Sequence, residues 1–278
     1  MHRRQPSRTR PLLAGVGLLC LLALGAIAGW PGSADSAPLR VVVLGAGVDN
    51  VKPDCPASNA KQCQVVGRVT GFQSLSGEFV KPFQAPFEGK IVSWTVSLGH
   101  PRARARGNFG NEVSFFNQFF GEPSQARIGV LRKVQGTKPP KYRLVRQSPI
   151  QVLNPYFGEK IEFALDHPLG AARGDMIGLT IPTWAPAFFH ARACEIGPDG
   201  QEIDPGQCAA MVGDNAWRAS RRDGRCQFNA EDPDRLEAQI EKSRPHQKIG
   251  AEREYGCYYR SARLLYSATL VKKPRRAN

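Results

Sequence analysis

Short segments in which apolar and polar residues alternate recur along most of the chain and predict β-strands. The clearest is 89–98, where alternate side chains divide into an apolar and a polar face. Those faces carry Val92, Trp94, Val96 and Leu98 on one side and Ser93, Thr95 and Ser97 on the other. Such alternation is typical of an antiparallel strand with one buried face, so we expect Trp94 in the core. Further strands are predicted at 39–44, 65–72, 126–134, 142–147, 150–153, 161–165, 175–182 and 263–272, and residues 184–189 are expected to continue or flank the strand at 175–182.

Turn residues separate these segments at intervals of about 8–12 positions, and strands do not alternate with helices. The pattern predicts an all-β protein, an antiparallel β-sandwich or jelly roll, with residues 64–278 as the sandwich domain. Residues from about 191 to 262 have weak periodicity and much charge. We interpret them as a cysteine-rich, disulfide-stapled loop insertion before strand 263–272 returns to the sheet. A distinct small domain is the alternative.

Two short helices are predicted within this β protein. Residues 111–120 place four phenylalanines on one helical face, and Gly121 and Pro123 follow as termination signals. The four are Phe115, Phe116, Phe119 and Phe120. This helix is expected to cover the sandwich core, and an exposed apolar lid for a lipid or glycan is the alternative. The second helix, 234–243, is polar and is expected on the surface.

The N-terminal segment has the features of an export signal. Four arginines lie in the first ten residues, residues 11–30 are uncharged, and Ala26-Ile27-Ala28 supplies small residues for cleavage. We predict a signal peptide over 1–28 and a secreted or cell-envelope location, with an uncleaved membrane anchor as the alternative. Residues 29–63 are then a linker containing a Cys55–Cys63 loop.

The cysteine count agrees with export. Of the seven cysteines, Cys20 lies in the leader, which leaves an even number for disulfides. Proximity in the sequence favours the pairs Cys55–Cys63, Cys194–Cys208 and Cys226–Cys257. No closely spaced Cys or His pair of the C-x-x-C type is present, so no structural metal is expected.

The chain is strongly basic, with a formal net charge of +14. Such a charge favours anionic partners, and outside a cell these are wall polymers, anionic lipids and acidic polysaccharides. We identify as candidate binding residues those of the predicted hairpin and of the loop before the first helix. They are Arg132, Lys133, Lys138, Lys141, Arg143 and Arg146, with Arg102, Arg104 and Arg106. Further basic runs lie at 218–225 and 272–276. Separate solvated surfaces are the alternative.

Motifs of known catalytic chemistry are missing from the sequence. It contains no Gly-x-Ser-x-Gly, no His-Glu-x-x-His and no phosphate-binding loop, so no catalytic residue and no cofactor is predicted. Asp199, Glu202 and Asp204 lie on a glycine-rich loop that is a weak calcium candidate, and a solvated acidic loop is preferred. No nucleic-acid-binding motif occurs either, and nucleic acid is not an expected partner.

Several segments resemble a family of uncharacterised secreted actinobacterial β-sandwich (jelly-roll-like) proteins. The resemblance covers roughly 64–272. Its motifs lie at 68–73, 82–94, 143–149, 174–179, 183–186 and 255–257. It implies a jelly-roll sandwich and carries over no activity and no functional residue.

These observations favour a secreted, non-catalytic binding module for an anionic or glycan partner. A carbohydrate-active enzyme on the same scaffold, a polysaccharide lyase or hydrolase, is the first alternative. An envelope structural or adhesion protein is the second. Fold alone does not separate the three.

Overall fold

Antiparallel strands account for most of the computed structural model, which describes residues 39–45, 51–55, 63–104, 110–190, 215–222, 225–226 and 243–272. The strands are β1 Val41–Leu44, β2 Val66–Ser76, β3 Phe79–Val80, β4 Gly89–Ser97, β5 Gln125–Val134, β6 Lys141–Gln147, β7 Gln151–Val152, β8 Lys160–Ala171, β9 Met176–Ala185, β10 Phe188–His190, β11 Ala216–Ala219, β12 Glu252–Glu254, β13 Cys257–Arg260, β14 Ala262–Leu264 and β15 Tyr266–Lys272. The helices are α1 Glu112–Phe120 and a short 3-10 helix Asn154–Tyr156.

Two large sheets pack around the main apolar core of the described residues, and β10 and β14 form a separate two-stranded sheet. The smaller has the order β1-β15-β4-β8, and the larger has nine strands, with the order β12-β6-β5-β9-β2-β11-β13 and with β3 and β7 paired at its side. A hydrogen bond connects the two sheets: the Tyr266 hydroxyl on β15 donates to the Ile177 carbonyl oxygen on β9 at 2.8 Å. The predicted all-β sandwich is confirmed, and Trp94 is fully buried in its core as predicted.

The larger sheet curls until its two edges meet. The edge strands β12 and β13 are joined in the chain by Tyr255 and Gly256 alone. The Tyr255 N–H donates to the Pro140 carbonyl beside β6, and the Gly256 N–H donates to the Arg221 carbonyl beyond β11. The Tyr255 ring then packs inside the curl against the rings of Phe72 and Tyr142, at centroid distances of 5.6 and 5.0 Å.

One face assignment in β4 is wrong. Ile91 is fully buried, whereas Val92, predicted for the core face, is half-buried. The cause of this difference is a β-bulge at Val92. Ile91 and Ser93 pair with adjacent residues of β15, and Val92 pairs with no residue of β15 or of β8. The extra residue shifts the alternation by one position, so that Ile91, Trp94 and Val96 point inward.

Helix α1 follows the prediction within one residue. The Asn111 side chain accepts from the Ser114 N–H at 2.9 Å, and Gly121 ends the helix at a φ of 87°. Phe116 is buried against Trp184, at a ring distance of 5.1 Å, whereas Phe115 is 49% exposed. The helix therefore covers the core with part of its aromatic face. Residues 234–242 of the second predicted helix lie outside the described residues.

Two of the predicted disulfides are present, Cys55–Cys63 and Cys226–Cys257. Cys194 and Cys208 lie outside the described residues, as do the leader 1–28 and most of the linker before Cys63. The described part of the 191–262 region contributes strands to the sheets, because β11 pairs with β2 and β12 pairs with β6. Among the described residues, no helix combines the length and apolar character needed to span a membrane.

Candidate functional site

The predicted basic hairpin is formed by β5 and β6, and two of its three arginines are held in ion pairs. Arg132 donates from Nε and Nη2 to the two carboxylate oxygens of Asp175, at 2.9 and 2.8 Å. This carboxylate raises the pKa of Arg132, first through the side-chain hydrogen bonds and then through its charge. Arg143 donates to Oε1 of Glu252 at 2.5 Å. Each of these two guanidinium groups is therefore engaged by a carboxylate from a neighbouring part of the large sheet.

The remaining predicted residues do not form one surface. Arg102 is paired with Glu112 at the start of α1, and Arg146 donates to the Gly170 carbonyl at 3.3 Å. Lys133, Lys138 and Arg104 are exposed, and Lys141 is exposed at the first position of β6. Arg106 lies outside the described residues.

Lys141 lines a polar pocket of about 550 Å³ at the place where the two edges of the large sheet meet. We call this site the polar pocket; its lining residues are Lys141, Ser220, Arg222, Glu252, Arg253 and Glu254. Strand β6 supplies the lysine, the chain after β11 supplies Ser220 and Arg222, and β12 supplies the other three. The curl of the sheet thus brings together residues from three distant parts of the chain.

Positive charge is in excess in the polar pocket. Its lining includes three cationic residues, Lys141, Arg222 and Arg253, and two acidic ones, and Arg143 already engages the carboxylate of one of these, Glu252. Arg253 donates to the carbonyl oxygen of Arg244 at 2.7 Å. Burial lowers the pKa of Arg253, the neighbouring Tyr255 raises it in part, and the nearby charge of Arg244 lowers it. An anion in this pocket would relieve that repulsion.

A second pocket, of about 500 Å³, lies on the other side of the segment 220–222. We call it the apolar pocket; its lining residues are Val65, Val66, Gly67, Phe120, Phe188, Trp217, Arg221, Cys226, Tyr258, Tyr259, Arg260 and Ala262. Arg221 lines the apolar pocket, and its neighbour Arg222 lines the polar pocket. One short segment therefore separates two sites of opposite character.

A hydrogen-bonded group inside the curl resembles a catalytic arrangement but is closed to substrate. The His246 Nδ1 lies 3.2 Å from the Tyr255 hydroxyl, and Nε2 lies 2.9 Å from the Ala251 carbonyl. A carbonyl only accepts, so Nε2 carries the proton and the tyrosine hydroxyl donates to Nδ1. Both side chains are fully buried. The group therefore holds segment 243–251 in place.

The sulfur atoms of Cys55 and Cys63 lie within 4.8 Å of a carboxylate oxygen of Glu112. Both sulfurs form the disulfide, and Glu112 pairs with Arg102. These atoms are engaged with one another, and the group supports no metal site.

Sequence reasoning did not identify Glu252, Arg253 and Glu254 as site residues. They alternate in charge, as on an exposed edge strand, but lie in the region of weak periodicity. Arg222 belongs to the basic run 218–225, and the sequence does not indicate which groups surround its side chain. Comparison with family models, with curated proteins and with solved structures finds no match for this chain. The function is therefore inferred from the two pockets.

Proposed function

We propose that the protein is an exported, non-catalytic binding protein that holds an acidic glycan or an anionic wall polymer in the polar pocket. The observation that carries the proposal is the meeting of Lys141, Arg222 and Arg253 in one pocket. The Cys55–Cys63 and Cys226–Cys257 disulfides support export, because disulfides persist in oxidising compartments.

The lining fits a ligand that carries both charge and hydroxyl groups. Guanidinium groups bind phosphate or carboxylate through paired hydrogen bonds, which favours the arginines as the anion contacts. Glu252, Glu254 and Ser220 offer acceptors for sugar hydroxyls beside those cations. The volume of about 550 Å³ is that of a small-ligand site, so one charged segment of a longer polymer would fill it.

The exposed lysines of the hairpin have a different role in this proposal. Lys133 and Lys138 lie outside the polar pocket, and they add to a net charge of +14. Charge at this range attracts a polyanion and speeds its arrival, and salt screens the effect. We therefore expect the pocket to set the dissociation rate and the lysines to set the association rate.

The test is a binding array of glycans and anionic wall polymers, run at low salt and at about 0.15 M salt. The variant Arg222→Gln/Arg253→Gln should weaken binding of the retained polymer by tenfold or more, mostly through faster dissociation. The control Lys133→Gln/Lys138→Gln removes the same charge outside the pocket and should mainly slow association. Equal losses in both variants, or no salt-dependent binding by the wild type, would refute the proposal.

A carbohydrate-active enzyme is the second candidate, because the carboxylates of Glu252 and Glu254 line the same pocket. Glycoside hydrolysis commonly uses two such groups. The polymers retained on the array should be assayed for reducing ends and unsaturated products. Product release that Glu254→Gln abolishes would favour the enzyme, and intact polymer after long incubation would favour the binding protein.

A further inference from the structure

We propose that the apolar pocket binds the hydrocarbon chain of a free fatty acid, with its carboxylate held by Arg260 and Arg221. This ligand site is separate from the polar pocket and does not depend on it. The proposal joins two observations on one cavity, an aromatic and aliphatic wall and two arginines among the residues that line it.

The wall is suited to a chain of methylene groups. Trp217 and Tyr259 stack with their ring centroids 4.6 Å apart, and Phe188 stands edge-on to Trp217 at 6.3 Å. Phe120 closes another side, with Val65 beside it. The cavity of about 500 Å³ lies within the range of small-molecule sites, which are mostly apolar.

The cations supply the complementary charge for the carboxylate. Arg260 is exposed at the end of β13, and its guanidinium lies 5.9 Å from the centroid of the Tyr258 ring. Arg221 donates to the Tyr259 hydroxyl at 2.8 Å and to the Gly67 carbonyl at 3.2 Å. Burial lowers the pKa of Arg221, since a guanidinium loses hydration there, and a carboxylate beside it would offset this cost.

The same lining disfavours a sugar. A glycan needs many polar partners for its hydroxyls, whereas the polar groups here are few and partly engaged. The Tyr259 hydroxyl already donates to the Cys226 carbonyl at 2.6 Å while accepting from Arg221. Apolar burial, and not hydrogen bonding, would therefore supply most of the affinity.

The first experiment titrates the full chain with straight-chain fatty acids of about six to fourteen carbons, by calorimetry below their micelle concentrations. Each buried methylene contributes about 0.8 kcal/mol, so the dissociation constant should fall up to about fourfold per carbon until the cavity is full. Alcohols of the same length should bind at least tenfold more weakly, because they lack the charge.

The second experiment uses variants with matched controls. Val65→Trp should fill the apolar pocket and weaken binding at least tenfold, whereas Val152→Trp, the same change at an exposed residue of β7, should not. Arg260→Gln should reduce the preference for acid over alcohol, and Arg104→Gln, at an exposed arginine outside the pocket, should preserve it. Thermal unfolding checks that each variant is folded.

The wild-type series decides the matter even if Val65→Trp does not fold. Affinity that does not depend on chain length, or equal binding of acids and alcohols, would overturn the proposal. So would binding to vesicles of anionic lipid without binding of the free acids, or unchanged binding by folded Val65→Trp. The polar-pocket variant Arg222→Gln/Arg253→Gln should bind the acids normally, which separates this site from the glycan site.

Discussion

Arg132 on β5 lies directly opposite Arg143 on β6, and each of the two guanidinium groups is paired with a carboxylate on its far side. Asp175 precedes β9, and Glu252 lies on β12, so the four charges form a row across four neighbouring strands. Like charges placed opposite each other destabilise a strand pair. The outer carboxylates compensate for this repulsion and fix the register of the hairpin.

We expect the two carboxylates to differ in their contribution to stability. The Asp175 side chain is 3% exposed and accepts from Arg132 and from the Ala172 N–H. Asp175→Asn keeps the shape but removes the charge, and should lower the free energy of unfolding by about 1–3 kcal/mol. Urea unfolding at neutral pH measures the change.

Glu252→Gln is the control for that prediction, because it breaks the Arg143–Glu252 ion pair, which is more exposed to solvent. The Glu252 side chain is 37% exposed, and the Arg143 side chain is 54% exposed. Surface pairs of this kind contribute less than about 1 kcal/mol. If Asp175→Asn and Glu252→Gln lowered the free energy of unfolding equally, the buried ion pair would not be stronger than the exposed one, and the prediction would be wrong.

The row also explains why the sequence alone does not show which cations of the basic hairpin are paired. The sequence shows its lysines and arginines as one cluster, but the partner of Arg132 is 43 residues away and that of Arg143 is 109 residues away. This pairing between residues far apart in the sequence determines which of the cations are ion-paired. The polar pocket was hidden for the same reason, since its lining comes from β6, β12 and the end of β11.

The fold was more predictable than the site. Long alternating segments and the capping signals around α1 are local, so β4, β5, β6, β9 and α1 were placed within a few residues. The short strands β11, β12 and β13 were missed, because three or four residues carry too little periodicity. The bulge at Val92 was missed as well, since it depends on which residues of β8 and β15 lie beside it.

Gly67 is expected to be essential for the docking of α1. A Cβ at this position would overlap the Phe120 ring, so one of the two must move. Gly67→Ala should therefore cost about 1–3 kcal/mol of stability. In the Phe120→Ala background the same change should cost much less, and this double-mutant cycle is measured by thermal or urea unfolding. Equal costs in both backgrounds would contradict the contact.

The two disulfides are expected to stabilise the protein unequally. Cys226–Cys257 closes a separation of 31 residues, and Cys55–Cys63 closes one of 8. Because a longer loop restricts the unfolded chain more, paired replacement by alanine should cost about 3–4 kcal/mol for the first and about 2–3 kcal/mol for the second. Urea unfolding of the two double variants gives the comparison, and a larger loss for the shorter loop would contradict it.

His246 is expected to make the protein sensitive to mild acid. Burial lowers its pKa below the ordinary value of about 6.5, and the charge of Arg253 lowers it further, although the Ala251 carbonyl raises it. Below about pH 6.5 the unfolded chain therefore binds a proton that the folded protein excludes. The contribution of His246 to the free energy of unfolding is therefore fully present above that pH and is lost as the pH falls.

The variant His246→Gln tests this linkage, because it removes the titrating group. Its free energy of unfolding should be lower than that of the wild type at about pH 8, since the hydrogen bonds to Tyr255 and Ala251 are disturbed, but should fall less steeply from about pH 7 to about pH 5. Urea unfolding across this range gives both slopes. A slope for His246→Gln as steep as that of the wild type would mean that another group senses the acid.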